Sequence, residues 1–498
     1  MNKMLHVNKT LIRDYHTHVT GEQWPNVNRA QCKKGKRCSS CIVQEVAEKL
    51  YFKDGDLLVG GIVPVYKKDS NDPLSCGEIR TSMGTEIVQA MEYAVSLINN
   101  KTHPFENVFP GKTIGFVIIN SCNQPLLIQN KLISLHKNGI VLDDGTTVDV
   151  TSKMIGYVGP YGSTISVASS DALSKFGYVQ VSYASTAVSL SDRTTYPYFL
   201  RVSTPDDKQA TAMIKIIRHS FYNSDYIQLI YSAGTYGEAG RDSIRLVAKS
   251  EGVCIANEIE IKENYKVNAI IDELRKFQYA KIVIIFIMSQ HVPSVTTVLN
   301  GMQYGEFLLI GSEAWGYRPG DFIDKQKLAG SLILSLQLPQ NNNFTKYLRS
   351  IDISAENTNP WLNTYVQHKF DCYLDASFDK SFSKQCSSNL RLANQDSYQQ
   401  EIWTPFALSA MIGLLSGTSD AFRELCGTNS ATLCEPYKRT PADVRSHVIG
   451  QTLDVDGSGN NVPLFDDNGD GKVGYTIYNL QRKVDNRNNI IYKEVSDI

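Results

Sequence analysis

The stretch MIGYVGPYGSTISVASSDALSKFGYVQVSYAST, residues 154–186, decides the fold. It opens on a short apolar run, MIGYV, of the kind a buried strand needs. A Gly/Pro break follows. The segment STISVASSDALSKF then reads as a helix that stops at Gly177, and YVQVSYA returns to a buried strand. A strand, a helix and a second strand in this order form a βαβ unit, whose strands run parallel.

The pattern extends on both sides. Upstream, LLVGGIVPV (57–65) and TIGFVIINSC (113–122) are strands. Between them, GTEIVQAMEYAVSLINN (84–100) sets Ile87, Met91, Ala94 and Ile98 at helical spacing. Downstream the alternation restarts. PDDKQATAMIKIIRHSFYN (205–223) is a helix opened by acids. YIQLIYS, VCIANEIEI, KIVIIFIMS and EFLLIGS are strands, with helices expected at about 236–252, 267–279 and 290–303. The first α/β unit ends near residue 203 and the second near 337. NPWLNTYVQHKF, IWTPFALSAMIGLLSG and TPADVRSHVIG are helical without a sheet of their own, and are expected to return over the first sheet. The tail, residues 474–495, alternates like a β-hairpin. The expected organisation is an irregular extension at 1–54, a first lobe at 55–203 and a second lobe at 204–337. The chain then returns to the first lobe at 338–450, and 451–498 forms a last crossing with the second lobe's hairpin.

Two parallel sheets joined by several crossings leave a cleft, and ligands of such sheets lie beyond the carboxyl ends of the strands. Four loops end there: VGPYGS (158–163), SYAST (182–186), SAGTYGEAG (232–240) and IGSEAWG (310–316). Gly159 and Gly162 let the backbone approach a ligand, and the following helix offers free N–H groups to an anion. Ser163, Thr164, Ser185 and Thr186 add hydroxyls. Read alone, Ser163 is the N-cap of its helix, Asp206 stabilises a first turn, and Tyr236 packs beside a turn. Glu313, after a buried strand, needs a cation or donors. An α-amino acid satisfies them together: its carboxylate takes the hydroxyls and N–H groups, its ammonium takes Asp206, Glu313 and the face of Tyr236.

Composition limits the alternatives. The chain has 498 residues, 42% of them hydrophobic, which implies two or three domains. Lys+Arg number 50 against Asp+Glu 51, so no basic footprint for nucleic acid exists. No run of eighteen apolar residues is present, and the first thirty residues hold no apolar leader core. Ten cysteines on polar loops favour disulfides, and Asn8, Asn100 and Asn343 head glycosylation sequons. The expectation is an extracellular protein whose N-terminus lies upstream of Met1; a cytosolic chain with ordinary thiols is the alternative. No phosphate-binding, dinucleotide or zinc-protease motif occurs, nor a nucleophile–base pair among the loop residues, so no catalysis and no cofactor are expected. DDNGDGK (466–472) imitates a calcium loop, but its twelfth position is Ile477 rather than Glu, and a hairpin turn is expected. Cys32, Cys38 and Cys41, with His16 and His18, suit zinc or a disulfide cluster.

These stretches, with CGEIRTSMGTEI, TTYPYFLRVSTPDD, EGVCIA and NPWLNTYVQHKFDC, resemble the Venus flytrap ligand-binding domain of class C G-protein-coupled receptors, and most closely the metabotropic glutamate receptors, over about residues 55–495. The resemblance implies an α/β, bilobed, periplasmic-binding-protein-like fold that closes on a free amino acid, and a homodimer through the first lobe. A G protein would be reached only through a membrane domain absent from this chain, at the extracellular face of a plasma membrane. A soluble amino-acid-binding protein or decoy is the alternative. By resemblance, Ser163 and Thr186 bind the carboxylate, with Thr164, Ala184 and Ser185 beside them. Asp206, Tyr236 and Glu313 bind the ammonium. The cations that grip a distal carboxylate fall at Ile87 and Gln400, so a neutral ligand is expected, with Arg80 the substitute cation if glutamate binds. The resemblance also implies disulfides Cys76–Cys122, Cys372–Cys386 and Cys426–Cys434, links Cys254 to a downstream domain, and places the intersubunit cysteine loop over about 124–153, which here has none.

Overall fold

The computed structural model describes residues 49–497 apart from 143–144, 220–223, 263–264, 317–321, 323, 337–339, 354–358, 375–381, 394–397, 429, 455–460 and 483–489. Cys32, Cys38, Cys41, His16, His18 and Asn8 lie outside the described residues.

Numbering the strands of the two large sheets in chain order, the first sheet contains β1 (Leu50–Lys53), β2 (Leu57–Val63), β3 (Ile114–Asn120), β4 (Met154–Val158), β5 (Gln180–Ser182) and β6 (Phe199–Arg201). Their order is β1-β3-β2-β4-β5-β6. All neighbours are parallel except β1, which runs antiparallel to β3. Every residue of β2 and β3 is buried, which explains their unbroken apolar runs. Gly60 has a specific cause: a Cβ there would lie 2.1 Å from the Tyr157 ring of β4. Leu50–Lys53, placed by sequence in an irregular extension, is a strand because it pairs along β3.

The second sheet contains β7 (Tyr226–Ser232), β8 (Cys254–Ile261), β9 (Ile282–Phe286), β10 (Leu308–Gly311), β11 (Leu332–Leu336), β12 (Tyr475–Arg482) and β13 (Ile490–Asp497). The order is β8-β7-β9-β10-β11-β12-β13, parallel from β8 to β11 and antiparallel beyond. The tail is therefore a hairpin added to this sheet.

The helices are α1 (Thr85–Asn99), α2 (Pro125–Asn138), α3 (Ser163–Phe176), α4 (Asp206–His219), α5 (Thr235–Ser250), α6 (Ile270–Arg275), α7 (Val292–Leu299), α8 (Asn342–Ser350), α9 (Leu362–Phe370), α10 (Thr404–Cys426), α11 (Glu435–Arg439) and α12 (Pro441–Ile449). Gly177 stops α3 at φ 75°, the left-handed cap that glycine adopts without strain. The stretch 124–153, read from sequence only as a loop, contains α2. Pro125 opens it, and Leu127, Ile128, Leu132 and Leu135 bury one face. Helices expected to reach residues 279 and 303 end at Arg275 and Leu299 instead. The long helix α10 packs on α1, α12, β4 and β5, so the returning segment covers the first sheet.

The chain passes between the sheets after Arg201, after Leu336 and before Tyr475. Disulfides join Cys76 to Cys122, Cys372 to Cys386 and Cys426 to Cys434, and Cys254 is free and exposed. Among the described residues no helix is long and apolar enough to cross a membrane.

Candidate functional site

The four loops meet. Thr186, just past β5, donates its hydroxyl toward Glu313 Oε1 of the second sheet at 3.5 Å. Thr164 Oγ1 lies 3.2 Å from Thr235 Oγ1, and the Tyr161 hydroxyl lies 2.7 Å from Ser289 Oγ. Each pair joins one sheet's loops to the other's, so the cleft is closed.

On the first-sheet side the β4–α3 turn is set by Gly159, where a Cβ would meet the Ile62 carbonyl oxygen at 2.3 Å. Ser163 does not cap its helix. The cap position is Gly162, with no side-chain bond, and the Ser163 hydroxyl instead accepts the Ala187 N–H at 3.2 Å. That bond does not use the hydroxyl proton of Ser163, and the first-turn N–H groups of α3 have no partner within the helix. Ser185 and Ala184 shape the loop: both backbone N–H groups donate to Ser182 Oγ, and Ser185 Oγ pairs with Ser166 Oγ at 2.7 Å.

On the second-sheet side Tyr236, in the first turn of α5, packs its ring on Phe286 in a tilted arrangement, centroids 4.9 Å apart. Its hydroxyl donates to Glu313 Oε2 at 2.9 Å and lies 3.0 Å from Ser312 Oγ. The Glu313 N–H donates to Gln209 Oε1 at 3.3 Å. Glu313 is 3% exposed and Asp206 0%. The Asp206 N–H donates to the Thr186 carbonyl at 2.9 Å, yet neither of its carboxylate oxygens has a hydrogen bond of standard geometry. Burial, and then the charge of Glu313, push Asp206 well above the usual carboxylate range; the nearby Thr186 hydroxyl eases this only in part. Burial likewise raises Glu313, against the Tyr236 bond and the nearby Gln209 amide. Two buried carboxylates thus share one site with no cation bonded to either among the described residues. Such an arrangement attracts a cation that brings its own hydrogen-bond donors.

Residues 86–483 match the family model described as receptor family ligand binding region. The chain belongs to this family. It is similar to metabotropic glutamate receptor 8 of Homo sapiens, 28% identical over 454 residues, 88% of this chain and 49% of that receptor. It is also similar to metabotropic glutamate receptor 4 of Mus musculus, 28% identical over 450 residues, 86% of this chain and 48% of that receptor. The chain spans about half the length of the curated relatives it matches. The two parallel sheets and their crossings are the bilobed, periplasmic-binding-protein-like architecture of a receptor ligand-binding region.

The remaining sequence candidates of this ligand-binding region have the following surroundings. Ile87 is wholly buried in α1. Gln400 is committed: its amide nitrogen donates to the Asn341 carbonyl and Thr345 Oγ1, and its oxygen accepts the Asn341 N–H. Arg80 reaches the Tyr66 carbonyl through Nε at 3.4 Å. A cavity of about 300 Å³ lined by His136, Phe176, Tyr178 and Tyr437 lies in the first lobe, and no predicted site residue lines it.

Sequence reading missed Gln209 and Tyr475, which adjoin the acid pair, and Arg201, which holds the site loop from behind. Arg201 is 0% exposed. Its guanidinium donates to the carbonyls of Ser185 and Ala187, to Ser191 Oγ and, through Nε, to Asp470 Oδ1 at 2.7 Å. Arg193 donates to the same Asp470 oxygen at 2.9 Å. The segment 466–472 is a turn, as expected. The Asp466 carboxylate accepts the N–H groups of Asn468 and Asp470, and Phe465 bridges Gly471. The Asp470 carboxylate serves two arginines.

Proposed function

We propose that this ligand-binding region is the extracellular sensing domain of a class C G-protein-coupled receptor that binds a neutral α-amino acid in the interlobe cleft and closes on it. The observation that carries the reading is Asp206: a wholly buried carboxylate, facing the charge of Glu313, with neither oxygen in a hydrogen bond of standard geometry. A ligand ammonium supplies three donors and a positive charge at that point. The ligand carboxylate takes Ser163, Thr164, Thr186 and the first-turn N–H groups of α3. Tyr236 and Glu313 belong to the second lobe, so the ligand gains these contacts only in the closed form. That differential affinity is what drives closure.

The neutral side chain follows from Ile87 and Gln400, neither of which brings a cation. Burying a second carboxylate without one costs several kcal/mol. A thermal-shift screen against the twenty amino acids tests this. A neutral amino acid at about 100-fold above its Kd adds about 2.7 kcal/mol and raises the melting temperature. Stabilisation by glutamate alone contradicts the neutral assignment.

The extracellular assignment is supported by the three disulfides and by the exposed sequon residues Asn100 and Asn343. A homodimer through the first lobe is supported by α2, which packs on α3 and carries Leu126 and Ile133, 46% and 48% exposed. Ile133→Arg is expected to weaken dimerisation at least tenfold, about 1.4 kcal/mol, in sedimentation analysis, leaving the monomer's melting temperature unchanged. An unaltered dimer places the interface elsewhere.

A further inference from the structure

Four buried polar atoms without partners gather at the acid pair: both carboxylate oxygens of Asp206, the amide nitrogen of Gln209 and the hydroxyl of Tyr475. Buried polar groups are nearly always paired, so a cluster of two unpaired acceptors and two unpaired donors needs an explanation. Asp206 and Gln209 are three residues apart on α4 and therefore lie on one face of it. The Gln209 side chain is fixed at one end, where its oxygen accepts the Glu313 N–H. Tyr475 is the first residue of β12, directly after the chain's last passage between the sheets. Its hydroxyl faces the charges of Glu313 and Asp206, with Gln209 close by.

The other groups around Asp206 are committed or carry the wrong charge. Arg201 is spent on Asp470, Ser185, Ala187 and Ser191. Glu313 is held by Tyr236 and Thr186, and Asp207, next along α4, is a second acid. Gln209 and Tyr475 are donors of this cluster, among the described residues, that lack a hydrogen bond of standard geometry; each lies within reach of the other, and Gln209 also of Glu313.

We propose that Tyr475 and Gln209 are positioning residues for Asp206, donating to one carboxylate oxygen so that the group stays ionised with its other oxygen turned to the ligand's ammonium; this rests on the amino-acid reading above. The ammonium and the two donors then satisfy all four atoms at once. Tyr475 also ties occupancy to the hinge, because it is the residue through which the last crossing meets the site.

The test is calorimetric titration of the wild type, Tyr475→Phe and Gln209→Leu with L-alanine, L-leucine and L-glutamate between pH 5 and 8, alongside ligand-free melting temperatures. Asp206→Asn serves as the control for the amino-acid reading. Tyr475→Phe and Gln209→Leu are expected to weaken binding about tenfold and to move the acid limb of the affinity profile to higher pH, since hydrogen bonds to a carboxylate favour its charged form. The ligand-free melting temperature is expected to hold or rise, because each change removes an unpaired buried group. Unchanged affinity and pH profile in both variants overturns the proposal. So does a parallel fall of affinity and melting temperature with the pH profile unmoved, which is the signature of packing alone. If Asp206→Asn binds like the wild type, or the wild type binds none of the three probes, the amino-acid reading itself falls and this inference with it.

Discussion

Asp206→Asn abolishes amino-acid binding and, at the same time, raises the melting temperature of the ligand-free protein. The two effects have one cause. Asp206 is entirely buried beside Glu313, and neither of its oxygens is paired. Without a ligand, its charge is opposed by burial and by its neighbour. Its pKa is raised on folding, so the stability it contributes is present below the ordinary carboxylate pKa of about 4. That contribution is lost as pH rises through the folded value. At neutral pH the native state therefore carries a penalty that the near-isosteric amide does not. Relief of an unpaired buried group is worth about 1–3 kcal/mol, at about 2–4 °C per kcal/mol for lobes of this size. Binding moves the other way. Loss of a desolvated charge pair costs about 2–5 kcal/mol, a drop of roughly 30-fold to several thousand-fold. Scanning calorimetry with and without amino acid checks both signs. A variant that is destabilised without ligand would show that Asp206 is held by partners already. One that still binds would show that the ammonium sits elsewhere.

Asp470→Ala is expected to destabilise the protein by about 3–5 kcal/mol, the cost of stranding a buried charge after its partner is removed. Asp470 receives Nε of Arg201 and a terminal nitrogen of Arg193, and these side chains are 0% and 16% exposed, so solvent screens the pair little. The damage reaches the site because the same guanidinium holds the Ser185 and Ala187 carbonyls. Hydrogen exchange is therefore expected to rise across residues 185–191, together with the fall in denaturant midpoint. Asp470→Asn, which keeps an acceptor but no charge, is expected to fall between the two. Full stability in Asp470→Ala would mean that Arg201 is anchored by the loop carbonyls alone.

The local chemistry of each strand and helix was open to reading from the sequence, because burial leaves its period in the residues. Residues 154–177 illustrate it: an apolar strand, a glycine where only glycine fits, and a helix with a left-handed glycine stop. Helix α2 carried the same signals, a proline at its start and apolar residues on one face, but lay in a stretch read by resemblance as a loop. Strands β5 and β6, three residues each, are too short for a period and exist through their neighbours. Thr186, Asp206, Tyr236 and Glu313 were legible as a set because they follow strands that end at one edge. Ser163 is a cap only when its loop is read alone, since spacing does not report that Gly162 already occupies the cap position. Arg201 and Asp470 are 269 residues apart, and no local pattern links them. Gln209 and Tyr475 left no trace either, since an unpaired buried atom is visible only when every neighbour is in place.

The most direct measurement is calorimetric titration with a neutral L-amino acid and with its N-acetyl derivative, which keeps the side chain and carboxylate but has no ammonium. The free amino acid is expected to bind, and the acetylated form to lose at least 30-fold in affinity, about 2 kcal/mol. Equal affinity for the two would contradict it, since Asp206 and Glu313 would then not be what the ligand is held by.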